Sequence, residues 1–418
     1  MRIAYNVALW MVLVLGSPVW IILLAARRKW RSGLWERLGA VPERLRPSGE
    51  RRVVWVHAVS VGEVLAAAGL VRELEREFEV YVSTTTHTGQ QLARQRFGEA
   101  RVFYCPLDLS PAIHAYLRRL SPAALVLLET EFWPNLIHAA HQSGRVAVVN
   151  ARISDRSLPG YKRWRCLVHG VVGEVDAFFA QSEEDAKRLV EIGAQPARVQ
   201  VSGNLKFDLV PPPQSAFVNS FAREGRSPVI VAGSTVEGEE AMILRAFAEL
   251  RRRFPNAWMV LAPRHPERFD GVEEQLRAAG ARCARRSRLS EVPHDCDVLL
   301  LDSIGELAAI YAIADIAFVG GSLVCRGGHN VLEPAYFGKA IVVGPYTENF
   351  REIIHAFQEA EALRVTHTAG LVEAFTELAS DAALRARLGE NARQVIQVNA
   401  GATARTALAV RAIIGGNA

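Results

Sequence analysis

Cysteine is scarce in this chain and is not arranged to form a disulfide framework. The 418 residues include five cysteines, and no two of them are spaced C-x-x-C. An odd number of scattered cysteines argues against a disulfide-stabilised fold and a zinc site, and it favours a reducing compartment. His57, His265 and His329 also lack the spacing of metal ligands, so we expect them to be structural histidines.

Two common nucleotide-binding signatures are missing as well. Neither G-x-G-x-x-G nor G-x-x-x-x-G-K-[ST] occurs, so no motif supports a dinucleotide-binding or a P-loop protein. Half of the residues are hydrophobic and 22% are charged, which is typical of a globular protein. A chain of 418 residues is too long for one ordinary core, so we expect two domains.

Charge is distributed unevenly along the chain. The net charge is +5, and the sequence pI is about 9.1. Between residues 27 and 52, nine basic residues face three acidic ones, an excess larger than that of the whole chain. Such a cluster fits an anionic partner. The nine are Arg27, Arg28, Lys29, Arg31, Arg37, Arg44, Arg46, Arg51 and Arg52.

A run without charged residues, 3–26, precedes this basic cluster. It exceeds the roughly 20 apolar residues that span a bilayer. A cleaved signal peptide and a buried core helix are the alternatives, but the basic residues that follow favour a membrane-anchoring helix over 1–30 with the rest of the chain on the cytoplasmic side. The pattern leaves open whether the helix spans the membrane or lies in its interface. Four tryptophans suit that interface: Trp10, Trp20, Trp30 and Trp35.

Beyond residue 50, short apolar strands alternate with helical stretches, which predicts a doubly wound α/β fold. Three consecutive prolines within 208–217 indicate a linker, so we expect one domain over 31–210 and another over 211–418. The carboxyl ends of the two sheets would then line a cleft, where open α/β sheets bind ligands. The predicted strands are Val53–Val59, Val80–Thr85, Val102–Cys105, Ala124–Leu128, Arg145–Asn150, Val199–Val201, Pro228–Ala232, Trp258–Ala262, Val298–Leu301, Ile316–Val319 and Ile341–Val343.

A candidate catalytic carboxylate lies in the stretch WVHAVSVGEVL, residues 55–65, which reads as a strand, a turn and a helix start. Ser60 and Glu63 fit the capping box, in which an N-cap serine is answered by a glutamate three residues on. Glu63 therefore has two interpretations, a helix cap or a carboxylate placed for chemistry. The same S-x-G-E pattern returns at 303–306, after another apolar strand.

Two more carboxylates follow a predicted strand directly. Glu129 and Glu131 come after Ala124–Leu128, where a polar side chain has no structural need to adjoin the core. Lys206 lies near the expected domain junction, and taken alone it resembles a solvated lysine.

The second half carries polar groups at its predicted strand ends. The turns 233–235 and 320–322 could hold phosphate through free N–H groups, although Ser234 with Glu237 also fits a helix cap. The Arg264 guanidinium suits a phosphate or a carboxylate. Asn330 and Glu333 begin an apolar helix, where Glu333 either accepts ribose hydroxyls or complements the helix dipole.

Ten ordered motifs together resemble the 3-deoxy-D-manno-octulosonic acid (Kdo) transferases over nearly the whole chain. His87 and Val331 replace prolines that are usual in that family. The motifs are WVHAVSVGE, STTTHTG, ETEFWPNL, NARISDRS, SGNLKFD, AGSTVEGEE, APRHPERF, IGELAAIYAIAD, FVGGSLVCRGGHNVLEP and GPYTENF.

The resemblance implies a GT-B glycosyltransferase with two Rossmann-like domains and an N-terminal membrane anchor at the bacterial inner membrane. Such enzymes move Kdo from CMP-Kdo to the 6′-hydroxyl of a lipid A precursor in lipopolysaccharide assembly, with inversion and without a metal ion or other cofactor. Nucleic acid is not an implied partner. Another GT-B nucleotide-sugar transferase acting on a membrane lipid is the alternative.

Carried onto this chain, the resemblance implies Glu63 as general base and Glu129 and Lys206 as residues that stabilise the transition state. We expect the Glu63 carboxylate to face the acceptor rather than Ser60. The implied CMP contacts are Pro263, Arg264, Ile304, Gly305, Glu306, Asn330, Val331, Leu332 and Glu333.

Overall fold

The computed structural model describes residues 2–17, 32–209, 215, 217–218, 221, 225–289 and 295–416. The predictions for 18–31 and for most of the proline-rich linker lie outside these residues. The chain forms two compact units, one of residues 1–208 with 399–418 and one of residues 209–398.

The N-terminal unit contains a seven-stranded, fully parallel sheet of order β3-β2-β1-β4-β5-β6-β7. Its strands are β1 (Val53–His57), β2 (Glu79–Thr84), β3 (Val102–Tyr104), β4 (Ala124–Leu128), β5 (Arg145–Ala151), β6 (Ala177–Ala180) and β7 (Val199–Val201). Its helices up to residue 208 are α1 (Arg2–Leu15), α2 (Leu34–Arg37), α3 (Val61–Leu74), α4 (His87–Phe97), α5 (Ser110–Leu120), α6 (Pro134–Ser143), α7 (Leu158–Arg163), α8 (Arg165–Val172) and α9 (Glu183–Ile192), with a 3₁₀ turn at Leu205–Phe207.

The second unit has another seven-stranded parallel sheet, of order β10-β11-β9-β8-β12-β13-β14. Its strands are β8 (Val229–Thr235), β9 (Trp258–Pro263), β10 (Cys283–Arg285), β11 (Val298–Leu300), β12 (Ile316–Val319), β13 (Ala340–Val343) and β14 (Leu363–Val365). Its helices are α10 (Glu239–Arg253), α11 (Phe269–Ala278), α12 (Leu307–Ile310), α13 (Leu332–Tyr336), α14 (Arg351–Glu359), α15 (Leu371–Ser380) and α16 (Ala382–Asn399), and α17 (Ala402–Gly415) follows them in the chain.

The predicted strands are confirmed to within a few residues, because long apolar runs form the central strands of both sheets. Strands β1 and β4 are buried along their whole length, as expected for parallel strands covered by helices on both faces. The edge or near-edge strands β6, β10 and β14 were missed; β10 and β14 have three residues each and include an arginine, so they show no apolar run.

The last helix differs from the predicted domain boundary. α17 belongs to the N-terminal unit, although it follows the second domain in the sequence. Ala407, Val410 and Ile413 of α17 pack in the same core cluster as Val54 of β1 and Leu70 of α3. The apolar face of α17 is buried there, so residues 399–418 belong to the first domain rather than to 211–418.

The uncharged N-terminal run begins with α1, a helix of 14 residues. Several of its apolar side chains are exposed, with Trp10 at 50% and Leu15 at 77%. Within the part of the chain that is described, no helix has the length and hydropathy needed to cross a membrane. Since 18–31 lies outside that part, the anchor over 1–30 stays a prediction.

Part of the basic cluster turns inward. Arg44 forms an ion pair with Glu36 at 3.0 Å, and Arg52 donates to the carbonyl of Ile414 at 3.0 Å. The Arg37 guanidinium lies 4.5 Å from the ring centroid of Tyr104. Arg37 and Arg44 are only partly exposed, whereas Arg52 stays exposed, so the contact of the cluster with an anionic partner stays a prediction with fewer arginines available for it.

Candidate functional site

The strand order of the N-terminal sheet reverses between β1 and β4, which are hydrogen-bonded neighbours. The connections that leave these two strands diverge, and such a point at the carboxyl ends of the strands is where open α/β sheets bind ligands. Glu63 lies in the first turn of α3, just after β1, and Glu129 is the first residue after β4. The structure therefore places two of the predicted catalytic residues at one switch point.

The Glu63 carboxylate is held by its own loop. Its Oε2 accepts from the Val59 N–H at 2.8 Å and its Oε1 from the Ser60 hydroxyl at 2.9 Å. Ser60 is the N-cap of α3 and its Oγ accepts from the Glu63 N–H at 3.4 Å. The cap is therefore formed, and the prediction that the carboxylate faces away from Ser60 is wrong.

The same carboxyl has an altered proton affinity. Glu63 is only 8% exposed. Burial raises its pKa to about 7, and the negative charges of Glu129 and Glu131 add to the rise, while the hydrogen bonds from Val59 and Ser60 oppose it. A base with a pKa near the working pH is well matched to proton transfer. Capping and catalysis are therefore compatible at this position.

The motif at 83–89 supports the Glu63 loop, a role that the sequence did not reveal. The N–H groups of Thr85 and Thr86 donate to the carbonyl of Val59 at 3.2 and 3.1 Å. A Cβ on Gly89 would lie 3.3 Å from the carbonyl oxygen of Val59, so glycine permits this close approach. His87 is the first residue of α4, where proline is favoured but not required.

Glu129 and Lys206 are brought together as an ion pair. Lys206 Nζ lies 3.2 Å from Glu129 Oε1, and the two side chains are 22% and 29% exposed. The interpretation of Lys206 as a solvated lysine is therefore wrong. Glu129 has a φ of +56°, in the left-handed region that is costly for a glutamate. Backbone strain of this kind is concentrated at functional sites.

A buried amide supports the segment that carries Lys206. Asn150, with a φ of +53°, accepts from the N–H of Leu205 at 3.0 Å through its Oδ1. Asn204 Oδ1 accepts from the Lys206 N–H at 3.0 Å, and Asn204 donates to Gln181 at 2.9 Å. These bonds fix the 3₁₀ turn and therefore the point from which the lysine side chain extends.

Glu131 is the third carboxylate at this edge. Burial raises its pKa, and the charge of Glu129 raises it further. Because Glu129 and Glu131 both act on Glu63, the three side chains form one acidic cluster, to which Lys206 adds a positive charge.

In the second unit, the glycine-rich turn at 320–322 is not a free phosphate site. Glu239 is fully buried, and its carboxylate accepts from the N–H groups of Gly321, Ser322 and Leu323 at 2.7, 2.9 and 2.8 Å. The N–H of Val236 also donates to it, at 3.0 Å. The prediction that this turn holds phosphate is wrong, because a side chain of the protein already occupies its donors.

The other predicted phosphate turn, 233–235, ends β8 and does not cap a helix. Helix α10 begins at Glu239 with Gly238 as its N-cap, so the capping box of Ser234 and Glu237 is not formed. Ser234 has a φ of +56°, and the carbonyl of Thr235 accepts from the Arg264 N–H at 2.8 Å. The turn is therefore fixed beside Arg264, and phosphate binding there stays a prediction.

Arg264 lies close to the 329–333 segment. It directly follows Pro263, the last residue of β9, and its side chain is exposed. Burial raises the pKa of Glu333, while the Asn330 hydrogen bond and the Arg264 charge lower it. Burial lowers the pKa of His329 to about 4, and the charge of Arg264 adds to that decrease. An exposed cation and a partly buried carboxyl thus share one edge of the sheet.

The remaining predicted CMP contacts divide by exposure. The side chains of Val331 and Leu332 are buried, so only their backbones can touch a ligand. Val331 is the N-cap of α13 with a φ of −85°, and a valine is accommodated there without strain. Ile304 is 83% exposed, and Gly305 has a φ of +90°. Asn330 Nδ2 donates to Glu333 at 3.3 Å.

The repeated S-x-G-E pattern has different structures in the two units. Glu306 receives a hydrogen bond from Ser303 and pairs with Arg286 at 3.0 Å. Helix α12 starts only at Leu307, with Glu306 itself as its N-cap. The second copy therefore lacks the serine cap found at Ser60.

Two family profiles match the two halves of this chain. The one described as "3-Deoxy-D-manno-octulosonic-acid transferase (kdotransferase)" covers residues 32–209, and the one described as "Glycosyl transferases group 1" covers residues 239–395.

Relatives with assigned names match over most of their length. A 3-deoxy-D-manno-octulosonic acid transferase of Haemophilus influenzae is 36% identical over 364 residues, which are 84% of this chain and 85% of that protein. One of Bordetella pertussis is 37% identical over 412 residues, 94% of this chain and 95% of that protein.

Solved structures share the architecture at low identity. A putative UDP-N-acetylglucosamine 2-epimerase from Listeria monocytogenes has a TM-score of 0.61 and 14% identity, covering 88% of this chain and 97% of that chain. A glycosyltransferase from Rickettsia africae has a TM-score of 0.55 and 10% identity, covering 88% of this chain and 100% of that chain. These likenesses confirm a GT-B-like fold of two parallel-sheet α/β domains.

Proposed function

This chain belongs to the 3-deoxy-D-manno-octulosonic acid (Kdo) transferase family and is a glycosyltransferase, and on that premise we propose its reaction. It transfers Kdo from CMP-Kdo to the 6′-hydroxyl of a lipid A precursor in lipopolysaccharide assembly. The observation that carries this proposal is the acidic cluster at the switch point between β1 and β4, where burial raises the pKa of Glu63 to about 7.

Glu63 acts as the general base. Its carboxylate takes the proton of the acceptor hydroxyl while the hydroxyl oxygen bonds to the anomeric carbon of Kdo. The bond from that carbon to the phosphate oxygen breaks, and CMP leaves with the electron pair. Because the hydroxyl attacks from the face opposite to CMP, the configuration of the anomeric carbon inverts. An ionised carboxylate offers about four lone-pair positions. Since Val59 and Ser60 occupy two, the acceptor can bind without breaking the cap.

Lys206 and Arg264 supply the positive charge that the reaction needs. The developing phosphate charge can be stabilised by fixed cations, as in other metal-free group transfers. Arg264 is exposed beside Glu333, where a phosphate and a ribose could be held together. Lys206 is oriented by Glu129, so its ammonium group is in place before the substrate binds.

We assign the membrane contact to α1 and the run that follows it. The exposed residues Trp10, Met11, Val14 and Leu15 give this helix an apolar surface suited to lipid. Arg37 and Arg44 contact the domain, so less of the basic cluster is left for an anionic headgroup than its composition suggests. The enzyme would then act at the cytoplasmic face of the bacterial inner membrane.

The direct test is a transfer assay with the purified full chain, a lipid A precursor in detergent, and either CMP-Kdo or UDP-sugars as donor. We expect CMP release that requires the acceptor, with a product whose mass has increased by Kdo. The mass also counts the Kdo units added. Turnover of a UDP-sugar instead would identify another GT-B transferase, and acceptor binding without CMP release would identify a lipid-binding protein.

A further inference from the structure

Two polar side chains near the start of α1 connect this helix to the first domain. Tyr5 Oη donates to Asp108 Oδ2 at 2.9 Å. The side-chain amides of Asn6 and Asn135 donate to each other, at 3.2 Å from Asn6 and 2.7 Å from Asn135. These contacts join segments more than 100 residues apart, whereas the apolar side chains farther along α1 are exposed.

The groups that receive α1 also start helix α6. Asp108 is 4% exposed, and its carboxylate accepts from the N–H groups of Asn135 and Leu136 at 3.0 and 2.9 Å. Asn135 Nδ2 donates in turn to the carbonyl of Asp108 at 2.6 Å. Trp133, the N-cap of α6, makes no side-chain cap. Asp108 therefore supplies that cap from outside the helix, and Tyr5 and Asn6 bind to the capping groups.

The segment that enters α6 carries two of the three carboxylates of the acidic cluster. Glu129 and Glu131 lie between β4 and α6, so the segment is fixed at one end by the sheet and at the other by the start of α6. The sheet end is held by the Glu129 N–H, which donates to the carbonyl of Val149 at 2.9 Å. The Asp108–Asn135 contacts hold the other end.

We propose that Tyr5 and Asn6 are positioning residues for the transfer reaction, which dock α1 on Asp108 and Asn135 and thereby fix the 129–133 segment beside Glu63. This inference rests on the proposed function. It makes α1 more than an attachment to lipid, because the helix that contacts the lipid also completes the support of the acidic cluster. Release of α1 loosens that segment.

The test compares Tyr5→Phe and Asn6→Ala in the full chain with Val398→Ala as control. Tyr5→Phe removes one donor and keeps the ring, while Val398 lies on helix α16 of the second unit, outside α1 and the acidic cluster, with its side chain 75% exposed. Three measurements are made: steady-state kinetics that give kcat and the KM for CMP-Kdo, the pH at the midpoint of the acid limb of the rate, and hydrogen exchange of the amides in 129–136.

For Tyr5→Phe and Asn6→Ala we expect kcat to fall about tenfold, with the KM for CMP-Kdo unchanged. The groups that act on the Glu63 carboxyl are Glu129 and Glu131, which lie in this segment, and Val59 and Ser60, which lie in the loop of Glu63 itself. Loosening the segment lets in water and removes negative charge, so the acid limb moves to lower pH. A partly unfolded preparation lowers the rate without moving that midpoint. We also expect faster exchange in 129–136.

Val398→Ala should match the wild type in all three measurements. The inference is overturned if Tyr5→Phe and Asn6→Ala behave like Val398→Ala, or if exchange becomes faster while the rate and the acid limb stay unchanged. Should the wild type fail to turn over CMP-Kdo, the proposed function fails separately. Hydrogen exchange in 129–136 then tests the docking role by itself. Exchange as slow as in the wild type overturns that role, and faster exchange in the Tyr5 and Asn6 variants supports it.

Discussion

The ammonium nitrogen of Lys206 lies 3.2 Å from Oε1 of Glu129, which joins two residues 77 positions apart at the carboxyl edge of the first sheet. Both side chains are less than one-third exposed, so solvent screens the pair only in part. The lysine is thus held beside the acidic cluster instead of moving freely in solvent.

Replacement of Lys206 by methionine should lower kcat by about 100-fold, the usual effect of removing one fixed electrostatic group from an active site. Methionine keeps the length of the side chain and loses the charge. Lys187→Met, at an exposed position on α9, is the matched control and should be neutral. Steady-state kinetics check this, and a Lys206→Met enzyme with wild-type turnover would exclude Lys206 from the reaction.

The strained backbone at Glu129 predicts a difference in stability between two variants at this position. Because φ is +56° there, Glu129→Gly should be more stable than Glu129→Ala by about 1 kcal/mol. Denaturant unfolding of both proteins measures the difference. At Glu131, where φ is not positive, the glycine variant should be no more stable than the alanine variant. Equal stabilities at 129 would show that the backbone there is relaxed.

Glu239 should stabilise the second domain, because its buried carboxylate accepts four backbone N–H groups. Glu239→Gln places an amide NH₂ among backbone N–H donors, so we expect the free energy of unfolding to fall by about 3 kcal/mol. Glu237→Gln, two residues earlier and exposed, should change it by less than about 0.5 kcal/mol. If the two variants unfold alike, the four hydrogen bonds to Glu239 do not stabilise the domain.

The raised pKa of Glu63 sets the pH dependence of transfer. A base must be deprotonated to accept a proton, and burial raises the pKa of this carboxyl to about 7. The rate should therefore fall about tenfold per pH unit below 7 and level off above it. A pH series of kcat checks this, with donor binding measured in parallel. A rate that stays level down to pH 5 would mean that no group with such a pKa acts as the base.

The sequence predicted the framework of the site, since apolar strands and the polar residues that follow them are local patterns. It placed Glu63 and Glu129 at strand ends, and the reversal of strand order confirms their common location. The local pattern alone indicated a solvated Lys206, because the ion pair with Glu129 depends on a turn that Asn150 and Asn204 hold in place. Such contacts between distant segments leave no periodic trace in the sequence.

The errors in the second domain have a similar cause. A glycine-rich turn looks the same whether it binds phosphate or a side chain, and Glu239 takes the donors of 320–322 from another element. Ser234 is a residue type that often caps a helix, but strand β8 continues through it and helix α10 starts only at Glu239. In both cases the local pattern was compatible with two structures, and tertiary packing selected one of them.

The structural role of the cap can be tested apart from the chemistry of Glu63 by a substitution of Ser60. Ser60→Ala removes the hydroxyl that caps α3, and it should lower the free energy of unfolding by about 1 kcal/mol while turnover continues. It keeps the carboxylate itself, so it controls for the structural role of this position.

The most direct test of the account is the turnover of Glu63→Gln with CMP-Kdo and a lipid A precursor. We predict that this variant folds and binds CMP like the wild type and loses kcat by roughly 10²–10⁴-fold, because an amide cannot accept the hydroxyl proton. Near-wild-type turnover in a folded Glu63→Gln protein would contradict the assignment of Glu63 as the general base.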